Sequence, residues 1–385
     1  MVEDTYTYSK NNMKDDIQEK KIVVFGAGRR GDAFLLQNKE KYEISIAFDN
    51  RKEGYVCGCK IQKPYYSKDF FIIVAVDGYE PYYAIKKQLE ELSYKEFIDF
   101  VPYSIWSKKM AVAYGNCHMT VVKDYLESSN EFSSIYGFYP FPAIQQMESE
   151  YDYSDIISHC DLFLHQSIQE NNAYGVRYAS CYFLKYANNA QVIAIPNLYG
   201  LPKCFFPQLR RGEEYKDFNG HELMMAVDIN IRNWVINNCD TKQIVEKLQN
   251  ECIYSKQEIV NQFKAFVDKV KEREEQWDIK ILGYILENYK TQKLFTEPWH
   301  ISSELAKEIA DRILDYLGMI RTDDFIIPCL DDFEVFIYND VKIALGIVFD
   351  EKIIRKYTRI TSCVNKISMN LEKYVEMNVD LHKMN

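Results

Sequence analysis

Residues 111–119 read AVAYGNCHM. Small and β-branched residues run up to a break at Gly115, Asn116 and Cys117, and a helical spacing follows at Val121, Val122, Tyr125 and Leu126. That is the pattern of strand, tight turn and helix. It puts Cys117 at the carboxyl end of a strand and in the first turn of a helix, where backbone N–H groups activate a nucleophile and hold a developing oxyanion. The alternative is a small buried thiol at a strand end. A second stretch far downstream bears on the choice.

Outward from this stretch the pattern repeats. Ser134–Phe141 reads as a second strand ending at Pro140 and Pro142, and Asp161–Gln166 as a third that delivers His165 and Gln166 at its carboxyl end. Gln191–Ile195 reads as a fourth, leading into Pro196, Asn197, Leu198, Tyr199 and Gly200. Strands alternating with helical segments indicate a parallel, doubly wound sheet, and ligands of such sheets sit beyond the carboxyl ends of the strands. Cys117, His165, Gln166 and Asn197 all fall there. His165 itself reads either as a structural histidine or as a substrate contact. From Thr241 to about Tyr289 the periodicity is helical and charged, predicting two or three amphipathic helices with a solvated face. A strand-like LFTEPWH follows, then a helix over Ser302–Leu317 with a Ser cap and a stop at Gly318. After the apolar run Val335–Tyr338, residues 351–385 are expected to be a helical tail.

Upstream, a polar leader (1–20) precedes KKIVVFGAGRRGDAFLL. Ile22–Phe25 is an apolar strand, Gly26, Gly28 and Gly31 have the G-x-G-x-x-G spacing, and a helix is expected from about Asp32. A second strand, Ile44–Phe48, ends in Asp49, where a nucleotide-binding unit places its ribose-binding carboxylate. Phe71–Val76 reads as a third strand, Pro81–Leu92 as a helix and Phe97–Phe100 as a closing strand. Residues 101–110 then read as a linker. The fold class expected is α/β: a Rossmann-like parallel-sheet domain over 21–105 and a larger α/β domain with added helices over 110–350. Arg29 and Arg30 stand where a diphosphate could be met, or are simply solvated.

Composition narrows the function classes. At 385 residues with 47% hydrophobic content there is material for two cores. A net charge of −10 without a long basic run argues against nucleic-acid binding. No stretch reaches the roughly 18 apolar residues of a membrane span, and the first residues lack the apolar centre of a signal peptide, so a cytoplasmic protein is expected. The ten Cys are scattered, and Cys57 and Cys59 have no second pair to complete a zinc site. Reduced thiols and no metal are expected. The oligomeric state stays open, a homo-oligomer included.

The downstream stretch is TEPWHIS, in which Glu297 and His300 are spaced acid-x-x-His. A carboxylate three residues before a His can accept its Nδ1 proton and leave Nε2 as a base. A nucleophile on the first strand's turn with acid-x-x-His near the domain's end resembles the SGNH-type hydrolases and acyltransferases, Gly-Asn-Cys standing where their Gly-Asp-Ser would be.

Two family resemblances follow. YGNCHM, LFLHQSI, AIPNLYG, KLFTEPWHISSELAKEIADRILDYLG and VFIYNDVKIALGI, within residues 110–350, resemble the WcbI-type acetyltransferases of polysaccharide biosynthesis. The chain departs from that family at His118, where Gln is usual, and at Trp299, His300 and Ile301, where Asn-His-Pro is usual. Residues 20–100, through Asp49, Asn50, Gly54, Gly58 and Pro64, resemble the nucleotide-sugar-binding domain of bacterial sugar acetyltransferases. The second resemblance implies a UDP-sugar or similar ligand, or a degenerate domain kept for packing.

The first resemblance implies coenzyme A as acyl carrier and O-acetylation of a sugar or polysaccharide acceptor in bacterial capsule biosynthesis. His300, held by Glu297, would be the base, acting on the acceptor hydroxyl or on Cys117. The Cys117 N–H with Asn116 or Asn197 would form the oxyanion hole. Gly115, His118, His165 and Gln166 would line the substrate or coenzyme A site. Arg177, Arg210, Arg211 and Lys203 are available for phosphates, Arg177 being preferred, unless they are solvated surface cations. Competing readings are an esterase or deacetylase using the same residues with water, and a nucleotide-sugar-binding scaffold without catalysis.

Overall fold

Ile22, Val23, Val24 and Phe25 are all buried, which makes β1 (Lys21–Phe25) a central strand covered on both faces. The computed structural model describes residues 20–211, 227–322, 335–349, 353–357, 365–369 and 371–383; the expected leader, apart from Lys20, lies outside them. The fold is mixed α/β. Its contacts divide into two units, one reaching to Asn116 and resuming over Asn130–Ile193, the other made of Cys117–Ser129 with Ala194 onward.

In the first unit β1 pairs in parallel with β2 (Ile46–Phe48) on one side and β5 (Phe70–Val74) on the other. β4 (Cys59–Gln62) extends the sheet beyond β2, with the short β3 (Tyr55–Val56) antiparallel at its edge, and β6 (Phe100–Pro102) closes the far side. The order β3-β4-β2-β1-β5-β6 contains the doubly wound nucleotide-fold arrangement of parallel strands. The helices α1 (Arg29–Asn38) and α2 (Tyr79–Glu91) follow β1 and β5. α1 starts three residues before the expected Asp32, because the chain enters the helix directly from Gly28. A Cβ at Gly31 would overlap the Gly26 carbonyl oxygen, and one at Gly26 would meet Ala75 O at 2.8 Å. Only glycine lets α1 approach β1 this closely.

Two strands differ from expectation. Phe97–Phe100 is a turn, with Phe97 left-handed (φ 63°) and its N–H on Phe100 O at 2.9 Å, so pairing begins at Phe100. Ser134 and Ile135 belong to a short helix, Asn130–Ile135, and only Tyr136–Phe138 (β8) forms a strand before Pro140 and Pro142 end the ladder.

Tyr103–Ile105 is a 3₁₀ turn, after which β7 (Lys109–Tyr114) opens a second sheet. Its order is β10-β9-β7-β8, with β9 Leu162–Gln166 and β10 Gln191–Ile195. β7 pairs in parallel with both β8 and β9. One buried cluster runs without a break through residues of both sheets. At its centre Glu96 accepts hydrogen bonds from Tyr82, Tyr139 (2.7 Å) and Lys86 (2.5 Å), joining α2 to the turn after β8. Short chain length between the sheets and this shared core make residues 101–110 part of a packed unit.

In the second unit, α3 (Cys117–Ser128) buries Met119, Val122 and Leu126 along one face and packs on α4 (Ser303–Tyr316). Ser302 caps α4, its hydroxyl accepting the Leu305 N–H, and Gly318 follows its end. The charged region forms three helices, Thr241–Asn250, Lys256–Glu274 and Leu282–Asn288. Short antiparallel pairs join Leu209–Arg210 (β11) to Val227–Asp228 (β12) and Phe295–Glu297 (β13) to His300–Ile301 (β14). Asp228 caps the helix Ile229–Ile236 and accepts the hydroxyls of Tyr338 (2.8 Å) and Tyr374 (3.1 Å). Burial pushes its carboxyl up to about 6 against those hydrogen bonds. The tail is not wholly helical: an antiparallel pair, Ile353–Tyr357 (β15) with Asn365–Met369 (β16), precedes the helix Leu371–Lys383.

The helix–strand approach at the glycine turn yields a stability prediction. Gly31→Ala should lower the unfolding free energy by about 1–3 kcal/mol, the range for forced overpacking, whereas Gly28→Ala, with open space around its Cβ, should cost well under half of that. Urea unfolding of the two variants checks the contrast.

Candidate active site

Cys117 stands at the first residue of α3, half-buried, where the helix's first N–H groups have no intrahelical acceptor. Glu297 and His300 face each other across the β13–β14 hairpin, whose turn is Pro298 and Trp299. The acid-x-x-His spacing is therefore folded back by a hairpin, not by a helical turn. His300 Nδ1 and Glu297 Oε1 form a short ion pair, Glu297 being buried and His300 partly exposed. The Cys117 side chain acts on the same imidazole and, like Glu297, favours its protonated form. Burial alone would push the His300 pKa down; hydrogen bonds to Cys117 and Glu297 and their charges outweigh it and raise it to about 10. These contacts favour the protonated imidazole.

The hairpin turn is gripped from two sides. His118 Nε2 lies 2.6 Å from the Trp299 carbonyl. A carbonyl only accepts, so Nε2 carries the proton. His118 is 2% exposed, and burial, with the charge of His300 adding to it, lowers its pKa to about 4 despite the Trp299 bond. The Pro298 carbonyl accepts the Gly200 N–H at 2.9 Å. Gly200 belongs to the loop after β10, where Asn197 Oδ1 accepts the Tyr199 N–H (3.3 Å) and Asn197 O accepts Arg273 Nη1 (3.0 Å). Arg211 bonds the Tyr199 hydroxyl and stacks over its ring at 5.3 Å, and that ring lies 6.2 Å from His118.

The remaining expected residues separate by unit. Cys117, His118, Asn197, Arg211, Glu297 and His300 are in the second, with Lys203 exposed on an otherwise buried 3₁₀ turn and Arg210 bonded to the Pro207 and Leu209 carbonyls. Gly115, Asn116, His165, Gln166 and Arg177 are in the first. There the buried Gln166 accepts the Asn116 N–H through Oε1 at 2.8 Å, a position that a Cβ on Gly115 would block. His165 is buried and stacks on Phe163. Arg177 is exposed, reaching Ser149 O at 3.3 Å. Arg273 was not singled out by sequence reasoning; Gly200 and Trp299 were named there only as a loop end and as a departure from the family pattern, without a role at the site.

The first unit's glycine turn is a second candidate site. Nothing lies within 4 Å of a Cβ at Gly28, and Arg29 and Arg30 face Asp77. Asp49 is committed: Oδ2 accepts the Ala27 N–H (2.8 Å) and Oδ1 those of Arg51 and Lys52, while Lys52 Nζ reaches Ala27 O at 2.5 Å. These backbone bonds, with the charge of Lys52, overcome partial burial and hold its carboxyl below the usual range. Among the described residues no cluster of three His, Cys, Asp or Glu side chains suits a metal, and no helix is long and apolar enough to cross a membrane.

Fold and site together define an α/β protein with a cysteine, histidine and glutamate in series. The chain belongs to the family of the polysaccharide biosynthesis enzyme WcbI, whose family model matches residues 110–322. A solved structure of WcbI, described as a novel polysaccharide biosynthesis enzyme in native form without a disulfide bond between coenzyme A and a cysteine, is similar in fold. It is 19% identical with a TM-score of 0.55, and the match covers 72% of this chain and 91% of that one. No curated protein matches the chain.

The raised His300 pKa carries a sign. Protonated His300 stabilises the folded state fully below its ordinary 6.5, and this contribution is lost as pH rises through about 10. The melting-temperature gap between the wild type and His300→Ala should therefore be widest near pH 6 and narrow toward pH 10.5. Calorimetry across that range checks it.

Proposed function

We propose that this chain is an acyltransferase that moves an acetyl group from acetyl-CoA to a sugar hydroxyl in surface-polysaccharide biosynthesis, through an acetyl-Cys117 intermediate. The observation that carries the reading is the Glu297–His300 pair across the β13–β14 hairpin, with Cys117 at the start of α3 acting on the same imidazole. Its context supports it: the family is one of polysaccharide biosynthesis, and the similar solved structure is described in terms of coenzyme A and a cysteine.

In the first half-reaction the Cys117 sulfur attacks the thioester carbonyl, and first-turn N–H groups of α3 receive the oxyanion, with Asn197 as a further donor. The C–S bond to coenzyme A breaks, and the His300 imidazolium gives its proton to the departing thiolate. His300 is then a neutral base. In the second half it takes the proton of the sugar hydroxyl, whose oxygen attacks the acetyl carbon, and Cys117 leaves as a thiolate beside the regenerated imidazolium. Glu297 holds the ring and offsets its charge throughout. Direct transfer, with His300 taking the proton of the sugar hydroxyl itself, is the alternative route. Arg211, tied through Tyr199 to the loop that grips the hairpin, is assigned to the phosphates of the carrier.

For the first unit we propose a nucleotide-sugar ligand. Gly26 and Gly31 allow the close turn and helix approach, and Gly28 leaves room for a diphosphate at α1. Asp49, occupied by three backbone N–H groups, serves the turn itself.

His300→Ala should lower transfer by about 10²–10⁴-fold with coenzyme A affinity little changed, measured by steady-state kinetics and calorimetric titration. Radiolabelled acetyl-CoA should mark Cys117 in the absence of acceptor, and Cys117→Ser should abolish both label and turnover. Turnover that survives in Cys117→Ser would instead mean direct transfer, and ester hydrolysis without coenzyme A binding would mean an esterase. For the first unit, titration should give UDP-sugar binding without NAD binding; tight NAD binding alone would overturn that assignment.

A further inference from the structure

We propose that His118 is a positioning residue, whose Nε2–H against the Trp299 carbonyl fixes the distance between Cys117 and His300. The inference rests on reading Cys117 and His300 as a reacting pair. His118 follows Cys117 by one residue and Trp299 precedes His300 by one, so a single 2.6 Å bond ties the neighbours of both reacting groups. The Glu297 contact sets the rotation of the His300 ring and the Gly200 bond to Pro298 holds the turn from the loop side. Neither of these bonds reaches α3. The His118 bond does, and it acts on the element that carries the nucleophile.

The chemistry of the position explains why an imidazole suits it. The partner is a backbone carbonyl, so the side chain must donate; His118 itself is buried, so its ring N–H needs that acceptor. The donor also has to be uncharged. The His118 and His300 rings are 6.2 Å apart, and a Lys or Arg there would set a second cation against the His300 imidazolium and compete for Cys117. A neutral imidazole with its proton on Nε2 meets all three conditions, and so does the side-chain amide of Gln.

The test is an NMR titration of the His300 imidazole in the full chain, comparing wild type, His118→Gln and His118→Ala. His300 should titrate near 10 in the wild type and in His118→Gln, and roughly one unit or more lower in His118→Ala, as the contribution of Cys117 is lost while that of Glu297 remains. Should His118→Ala not fold, His118→Asn, whose amide is one carbon too short to reach the carbonyl, is expected to behave as His118→Ala was. An unchanged midpoint in the shortened variants, or an equal fall in His118→Gln, overturns the positioning role. A wild-type midpoint at the ordinary 6.5 would instead sink the reacting pair itself.

Discussion

A protonated imidazole in a half-buried position persists only where acceptors offset the burial, and His300 has Glu297 on Nδ1 with Cys117 acting on the same ring. Much of the local structure of the second unit follows from holding those three groups in line. The β13–β14 hairpin places acid and imidazole directly opposite one another, and its two-residue turn is too short to supply its own hydrogen bonds to Pro298 and Trp299. Those carbonyls are met from outside, by the Gly200 amide and by His118. The first helical turn of α3 then supplies the thiol. Loss of any one support leaves the imidazolium with burial working against it and less to oppose it.

The glycine turn of the first unit solves a different problem with similar economy. A helix that begins immediately after β1 must cross its own strand end without side chains in the way, which Gly31 and Gly26 permit. The exit from β2 has to be pinned to the same turn, and Asp49 does this by accepting N–H groups from Ala27, Arg51 and Lys52. A carboxylate at this place in the fold reads from sequence as a ribose ligand; in three dimensions its lone pairs are directed at backbone.

What the sequence made legible was whatever local chemistry determines. β10 and α4 were read nearly to the residue, because one is a plain apolar run and the other has Ser302 and Gly318 at its ends. The pairing of Glu297 with His300 was legible because the acid-x-x-His spacing lets the two meet across a short turn. Phe97–Phe100 was misread, since an apolar run reports burial and not backbone direction, and Phe97 adopts a left-handed conformation that nothing in its identity announces. The role of His118 was hidden for another reason: its partner is a carbonyl, which every residue has. The grouping of α3 with the second unit was equally invisible, as it depends on a partner helix far along the chain.

That grouping has a consequence for synthesis on the ribosome. The strand before Cys117 belongs to the first unit, but the helix it begins is completed only by α4, which emerges much later. At about 5–20 residues per second the interval is on the order of 10–35 s. For that time the apolar face of α3 lacks its final cover, and the nascent thiol of Cys117 has no His300 to pair with. Aggregation or oxidation during translation is therefore the hazard built into this chain order, and expression at a temperature that slows synthesis would lengthen the exposure as well as ease the folding.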